Sequence, residues 1–97
     1  MPNRVEVLRI LSERLPELKR QFPIKSLALF GSVARGDETE NSDVDILVEF
    51  TEPIGFFRLG DLEDQLSELT GSKIDLVTTT GVKRQFRARI LSEAIYV

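Results

Sequence analysis

Apolar side chains at Val5, Leu8, Leu11, Leu15, Leu18 and Phe22 recur at steps of three and four, which sets them on one face of a helix. Pro16 falls inside this run. A proline in a helix interior removes a hydrogen bond and crowds the carbonyl four residues back, here that of Ser12. The pattern predicts a helix over 3–14 and a short second one over 16–22, with a single kinked helix as the alternative. The spacing then changes. Lys25 to Phe30 reads as a strand that ends at Gly31, and Ser32 is a good N-cap for the short stretch to Gly36. Asp37 to Ser42 is polar and predicts a loop. Val44, Ile46 and Val48 alternate with Asp43, Asp45 and Glu49, the signature of a half-buried strand. Leu59, Leu62, Leu66 and Leu69 predict a helix over 56–69, closed by Gly71. Lys73 to Thr78 predicts a third strand. Val82, Phe86, Ile90, Leu91 and Ala94 predict a last amphipathic helix over 82–94, with an extended tail or short strand after it. The link between the first two strands is too short for a full crossover helix, so they are expected to be antiparallel. The expected architecture is α/β (α+β), a small mixed β-sheet flanked by helices, with residues 1–97 as a single domain.

Composition narrows the chemistry by what it lacks. The 97 residues include no cysteine and no histidine. Disulfides, Cys- or His-ligated metals, thiol nucleophiles and Ser-His-Asp catalysis are all excluded. Carboxylates, hydroxyls, amines and backbone dipoles remain, a set suited to hard cations with oxygen ligands. The net charge of −3 argues against direct nucleic-acid binding. Charge is also segregated. Asp37 to Asp64 carries ten acidic residues against one basic, Arg58, whereas Lys83 to Arg89 carries four basic residues and no acidic one. Such an acidic middle repels a phosphate unless a cation lies between them. No apolar run approaches the ~18 residues of a membrane span, and the first residues lack an uninterrupted apolar stretch. No membrane association is expected, and the expected location is cytoplasmic.

Three aspartates carry the most information. Asp43 and Asp45 are two apart on a predicted strand, so their side chains leave the same face. Aspartate is depleted in strands, and neighbouring carboxylates repel, so a shared cation rationalises the pair. Asp75 stands mid-strand in Lys73-Ile74-Asp75-Leu76-Val77 and offers a third oxygen ligand for Mg²⁺. The bland alternative is a solvated sheet face. Upstream, Gly31-Ser32-Val33-Ala34-Arg35-Gly36 combines a glycine at a strand end, a hydroxyl and a guanidinium, which suits a phosphate. An ordinary serine-capped turn is the alternative there. Two other motifs fail on spacing. Gly31 and Gly36 match the glycines of a Walker A loop, but Asp37 replaces its lysine. Asp43 and Asp45 begin like an EF-hand loop, but Leu47 and Val48 occupy the next ligand and the glycine.

Taken together, Gly31-Ser32-x-x-Arg35-Gly36, a short polar loop, and Ser42-Asp43-x-Asp45 followed by apolar residues resemble the polymerase-β-like nucleotidyltransferase superfamily. The likeness is greatest to its minimal nucleotidyltransferases, the MNT proteins of HEPN/MNT toxin–antitoxin pairs. Leu27 to Phe30 and Lys73 to Val77 look like that family too, so the resemblance covers nearly the whole chain. It implies the polymerase-β-like fold. It implies that Gly31 and Ser32 hold a nucleoside triphosphate, that Asp43 and Asp45 bind two Mg²⁺ ions, and that Asp75 shares the catalytic metal and helps activate the attacking hydroxyl. Arg35 and Ser42 join the expected nucleotide-binding set, with a structural salt bridge and a loop cap as their respective alternatives. The implied reaction moves AMP from ATP to a hydroxyl, on a tyrosine of a cognate HEPN toxin. The alternatives are a non-catalytic antitoxin that neutralises its toxin by complex formation, and a tRNA- or antibiotic-modifying transferase, which small size and acidic charge disfavour. Self-association stays open. Lys83, Arg84, Arg87 and Arg89 read as a solvated helix face or a contact for triphosphate or an acidic partner. The adjacent Phe56 and Phe57 are split between core packing or loop anchoring, base stacking and partner contact.

Overall fold

The chain alternates helices and strands across a four-stranded sheet in the computed structural model, which describes residues 3–97. The elements are α1 (Arg4–Gln21), β1 (Ile24–Phe30), α2 (Gly31–Arg35), β2 (Val44–Phe50), α3 (Phe56–Thr70), β3 (Ile74–Thr78), α4 (Arg84–Glu93) and β4 (Ile95–Tyr96). Asn3 opens α1, its side-chain oxygen accepting a hydrogen bond from the Glu6 amide at 2.9 Å. The helix runs unbroken through Pro16, so the single-helix alternative holds and the two-helix expectation does not. Both Ser12 and Pro16 are exposed, so the carbonyl that Pro16 leaves unbonded can be solvated. Leu11 and Leu18, on either side of the proline, are both buried in one core and hold the two halves in line. The buried face is slightly rotated from the expected one. Val7 is buried, while Val5 is 76% exposed.

The strand order is β3-β2-β1-β4. β1 and β2 are antiparallel, as their short link requires, with a register shift between Ile24 and Ser26. β3 lies parallel to β2, because α3 carries the chain back across one face before β3 begins. β4 adds two residues to the free edge of β1. The mixed sheet flanked by helices thus matches the expectation. Alternation along the strands divides the interior in two. Leu27, Leu29, Val44, Ile46, Val48 and Ile74 pack with α1 and α3 in the larger core. Ala28, Phe30 and Leu47 face the other way and form a small cluster with Val77, Val82, Ile90 and Ala94. α4 covers that second face thinly and contributes no fully buried residue. Gly71 ends α3 in the left-handed conformation at φ 68, as its position predicts. No helix among the described residues is long and apolar enough to cross a membrane.

Candidate active site

Register places the chemistry. Phe30, the last residue of β1, pairs with Asp45, and Asp45 pairs in turn with Asp75 on β3. Gly31 follows Phe30 directly, so the glycine turn and two aspartates line up across three strand ends. Leu47 and Val77 point into the small cluster under α4, so Asp45 and Asp75, two residues earlier, leave the sheet on that same face. Asp43 stands just before β2, whose first residue, Val44, donates its amide to the Lys73 carbonyl at 2.9 Å.

Gly31 has φ +76, and α2 starts at this residue with Phe30 as its N-cap. A side chain there is excluded twice over. The conformation disfavours L-residues, and an added Cβ would fall on the Asp45 carboxyl group, 2.9 Å from Cγ and nearer still to Oδ2. Ser32 therefore sits inside α2 rather than capping it, and the expected serine cap is not formed. Its half-exposed side chain lines the same cavity as Gly31, of about 360 Å³, with Asp45 also on the wall.

Asp45 is half-buried, and its pKa is pushed up from 3.8 to about 6. Desolvation is the main cause. The charge of Asp75, a hydrogen bond between the two carboxyl groups and the charge of Asp43 add to it, while Arg35 opposes it. The three aspartates thus act on one another, as the sequence led us to expect. They are not a closed cage. Asp75 is exposed, Asp43 leans towards Lys73 with Oδ2 3.9 Å from Nζ, and among the described residues no three such ligands converge on one point. The donor set still fits Mg²⁺: all oxygen, unsaturated by hydrogen bonds from cationic neighbours at Asp45, and mutually repulsive without a cation.

Arg35 is held charged by its own chain. Its Nε donates to Asp37 Oδ2 at 2.9 Å and its Nη1 to Glu93 Oε1 at 2.9 Å. Glu93, the last residue of α4, also accepts the Gly31 amide on Oε2 at 3.3 Å, and Arg89 Nε lies 3.5 Å from Oε1. Burial would raise the Glu93 pKa, but Arg35, the Gly31 amide and Arg89 outweigh it and hold it below the usual value. Glu93, Arg89 and Phe86 line the cavity from α4. Arg89 was among the basic residues that offered a triphosphate contact, whereas Glu93 and Phe86 did not stand out in the sequence as site residues. Arg35 and Glu93 are 58 positions apart in the chain, which left no local signal of their pairing. The Ser42 hydroxyl accepts the Thr39 amide at 2.8 Å, the loop contact that was the alternative to its nucleotide role. Phe56 and Phe57 are 84% and 86% exposed and meet edge to face, with centroids 5.9 Å apart. They do not pack in the core. They follow the far end of β2, about 16 Å of strand away from Asp45, so they do not reach this site. Of the basic residues on the last helix, Arg89 reaches the cavity, while Lys83, Arg84 and Arg87 are exposed elsewhere.

A glycine turn facing aspartates at the end of a mixed sheet is a platform for nucleotidyl transfer, and the fold and site together define an enzyme of that class. The chain belongs to the nucleotidyltransferase domain family, which matches residues 9–97. It is 40% identical over 93 residues to MJ0126 of Methanocaldococcus jannaschii, a candidate protein adenylyltransferase, with 95% of each chain covered. It is 37% identical over 92 residues to the protein adenylyltransferase MntA of Thermococcus cleftensis, covering 95% of this chain and 93% of MntA. Among solved structures, a candidate minimal nucleotidyltransferase superposes with a TM-score of 0.79 at 36% identity, over 93% of this chain and 92% of that one. Two toxin–antitoxin complexes share the fold at a TM-score of 0.70. One contains AMP-PNP, at 21% identity over 98% of this chain and 72% of that one. The other joins a tri-AMPylated Shewanella oneidensis HEPN toxin to its MNT antitoxin, at 18% identity over 93% of this chain and 70% of that one.

Proposed function

We propose that this protein transfers AMP from ATP to a tyrosine hydroxyl of a cognate HEPN toxin and thereby silences it. The observation that carries this reading is the alignment of Gly31, Asp45 and Asp75 across adjacent strand ends. The family match and the MntA relative agree with it. In this reading Gly31 and Ser32 hold the triphosphate. Asp43, Asp45 and Asp75 would hold two Mg²⁺ ions, which would supply positive charge to offset the negative charge that develops during transfer. Arg35 joins the nucleotide site by giving up Asp37 or Glu93. The tyrosine oxygen forms a bond to the α-phosphorus, the bond from that phosphorus to the bridging oxygen breaks, and pyrophosphate leaves. The tyrosine proton passes to Asp75 or to water.

Asp75 lies exposed on the edge strand β3, with no strand beyond it among the described residues. An acceptor can approach there from outside, and a partner protein supplies the wall that the chain itself lacks. The test is incubation with the toxin, ATP and Mg²⁺, followed by mass spectrometry of both chains. Addition of one or more AMP units to a toxin tyrosine is expected, and none with the Asp43→Asn, Asp45→Asn double variant. A tight, unmodified complex under conditions where ATP binds would overturn the enzymatic reading in favour of neutralisation by binding alone.

A further inference from the structure

α4 has an unusual composition for a helix that covers a sheet. It buries no residue completely, yet it carries a phenylalanine and an arginine into the cavity beside Gly31. Phe86, Arg89 and Glu93 are spaced by three and four, so they share one helix face. Glu93 ties the C-terminal end of that face to the glycine turn through the Gly31 amide and Arg35. Phe86 is then held about 10 Å back along the helix axis, at ~1.5 Å per residue. Its ring is 47% exposed and belongs to neither core cluster. The other aromatic residue on the cavity wall, Phe30, is committed to the small core. Tyr96 lines a separate cavity, and Phe56 and Phe57 lie at the far end of the sheet.

Resting on the nucleotide reading above, we propose that Phe86 is the platform on which the nucleobase of the bound triphosphate stacks. One wall of the cavity offers Gly31, Ser32 and Asp45 to phosphates and cations, whereas Phe86 offers an apolar ring that neither phosphate nor Mg²⁺ can use. A flat base is the part of a nucleotide whose chemistry matches it. Stacking tolerates any base, so the preference among nucleoside triphosphates is weak.

The experiment measures binding in Mg²⁺ by calorimetry, with ATP, GTP and inorganic tripolyphosphate as probes, for the wild type and Phe86→Ala. Loss of the ring should weaken ATP and GTP about five- to hundred-fold and leave tripolyphosphate unchanged. The chain contains no tryptophan, so Phe86→Trp makes a single-tryptophan protein, whose indole can be excited selectively over Tyr96. Its emission should change on adding ATP and stay constant on adding tripolyphosphate. Equal ATP affinity for wild type and Phe86→Ala, or equal loss for ATP and tripolyphosphate, would overturn the assignment of Phe86 while leaving the nucleotide site in place. A wild type that binds no ATP would instead overturn the nucleotide reading itself.

Discussion

Replacing Asp45 with asparagine separates a functional carboxylate from a structural one. The side chain keeps its shape and loses its charge. In the metal-free protein that charge is a burden, because Asp45 is half-buried beside Asp75 and Asp43. Its folded-state pKa of about 6 lies above the unfolded value of 3.8, so protonation favours the fold. The contribution is complete below pH 3.8 and is lost as pH rises through about 6. The full rise would correspond to roughly 3 kcal/mol. Asp45 is only half-buried, and solvent screening reduces that to about 1 kcal/mol. For a domain of this size ~1 kcal/mol shifts the melting temperature by roughly 4–8 °C. Asp45→Asn is therefore expected to melt several degrees above the wild type in EDTA at pH 7.5, and to lose that advantage at pH 3.5. Added Mg²⁺ should raise the wild-type melting temperature and leave the variant unmoved. Thermal melts followed by circular dichroism at both pH values provide the assay. A variant less stable than the wild type at pH 7.5, or a gain that does not depend on pH, would refute the argument and make Asp45 a structural residue.

The other expectations concern the turn and its latch. Gly31→Ala forces a side chain to adopt φ +76, costing about 1–2 kcal/mol, and drives the Asp45 carboxyl group from its position. AMP transfer should fall about 100-fold, as for a misplacement of ~1 Å, and unaltered transfer by a folded variant would disprove the close contact. Glu93→Ala leaves the Gly31 amide without its side-chain acceptor and frees one arm of Arg35. Hydrogen exchange at Gly31 should quicken in that variant, while the backbone of the large core stays protected. Unchanged exchange would show that Glu93 does not hold the turn.

The pattern of apolar positions was enough to predict the three main strands, the helix closed by Gly71 and the antiparallel pairing of the first two strands. These depend on local chemistry: period, chain breakers and the length of a link. The candidate residues Gly31, Asp43, Asp45 and Asp75 were legible as well. Aspartate in a strand runs against local preference, which made the carboxylates conspicuous, whereas Gly31 alone reads as an ordinary turn and stood out only through the resemblance carried by the combined motif. Pro16 shows where local rules give way. Its expected break is absent because residues on both sides of it share one core. Ser32 does not cap α2, because the helix already begins at Gly31 with Phe30 in the N-cap position. Only the tertiary structure decided that β3 pairs parallel to β2, and so that Asp75 meets Asp45. It alone brought Glu93 to Arg35 and Phe86 to the glycine turn, and carried Phe56 and Phe57 away from the site. Those contacts join residues far apart in the chain. Their partners are chosen by strand register and by the path of α4 across the sheet, neither of which the local sequence around any one of them encodes.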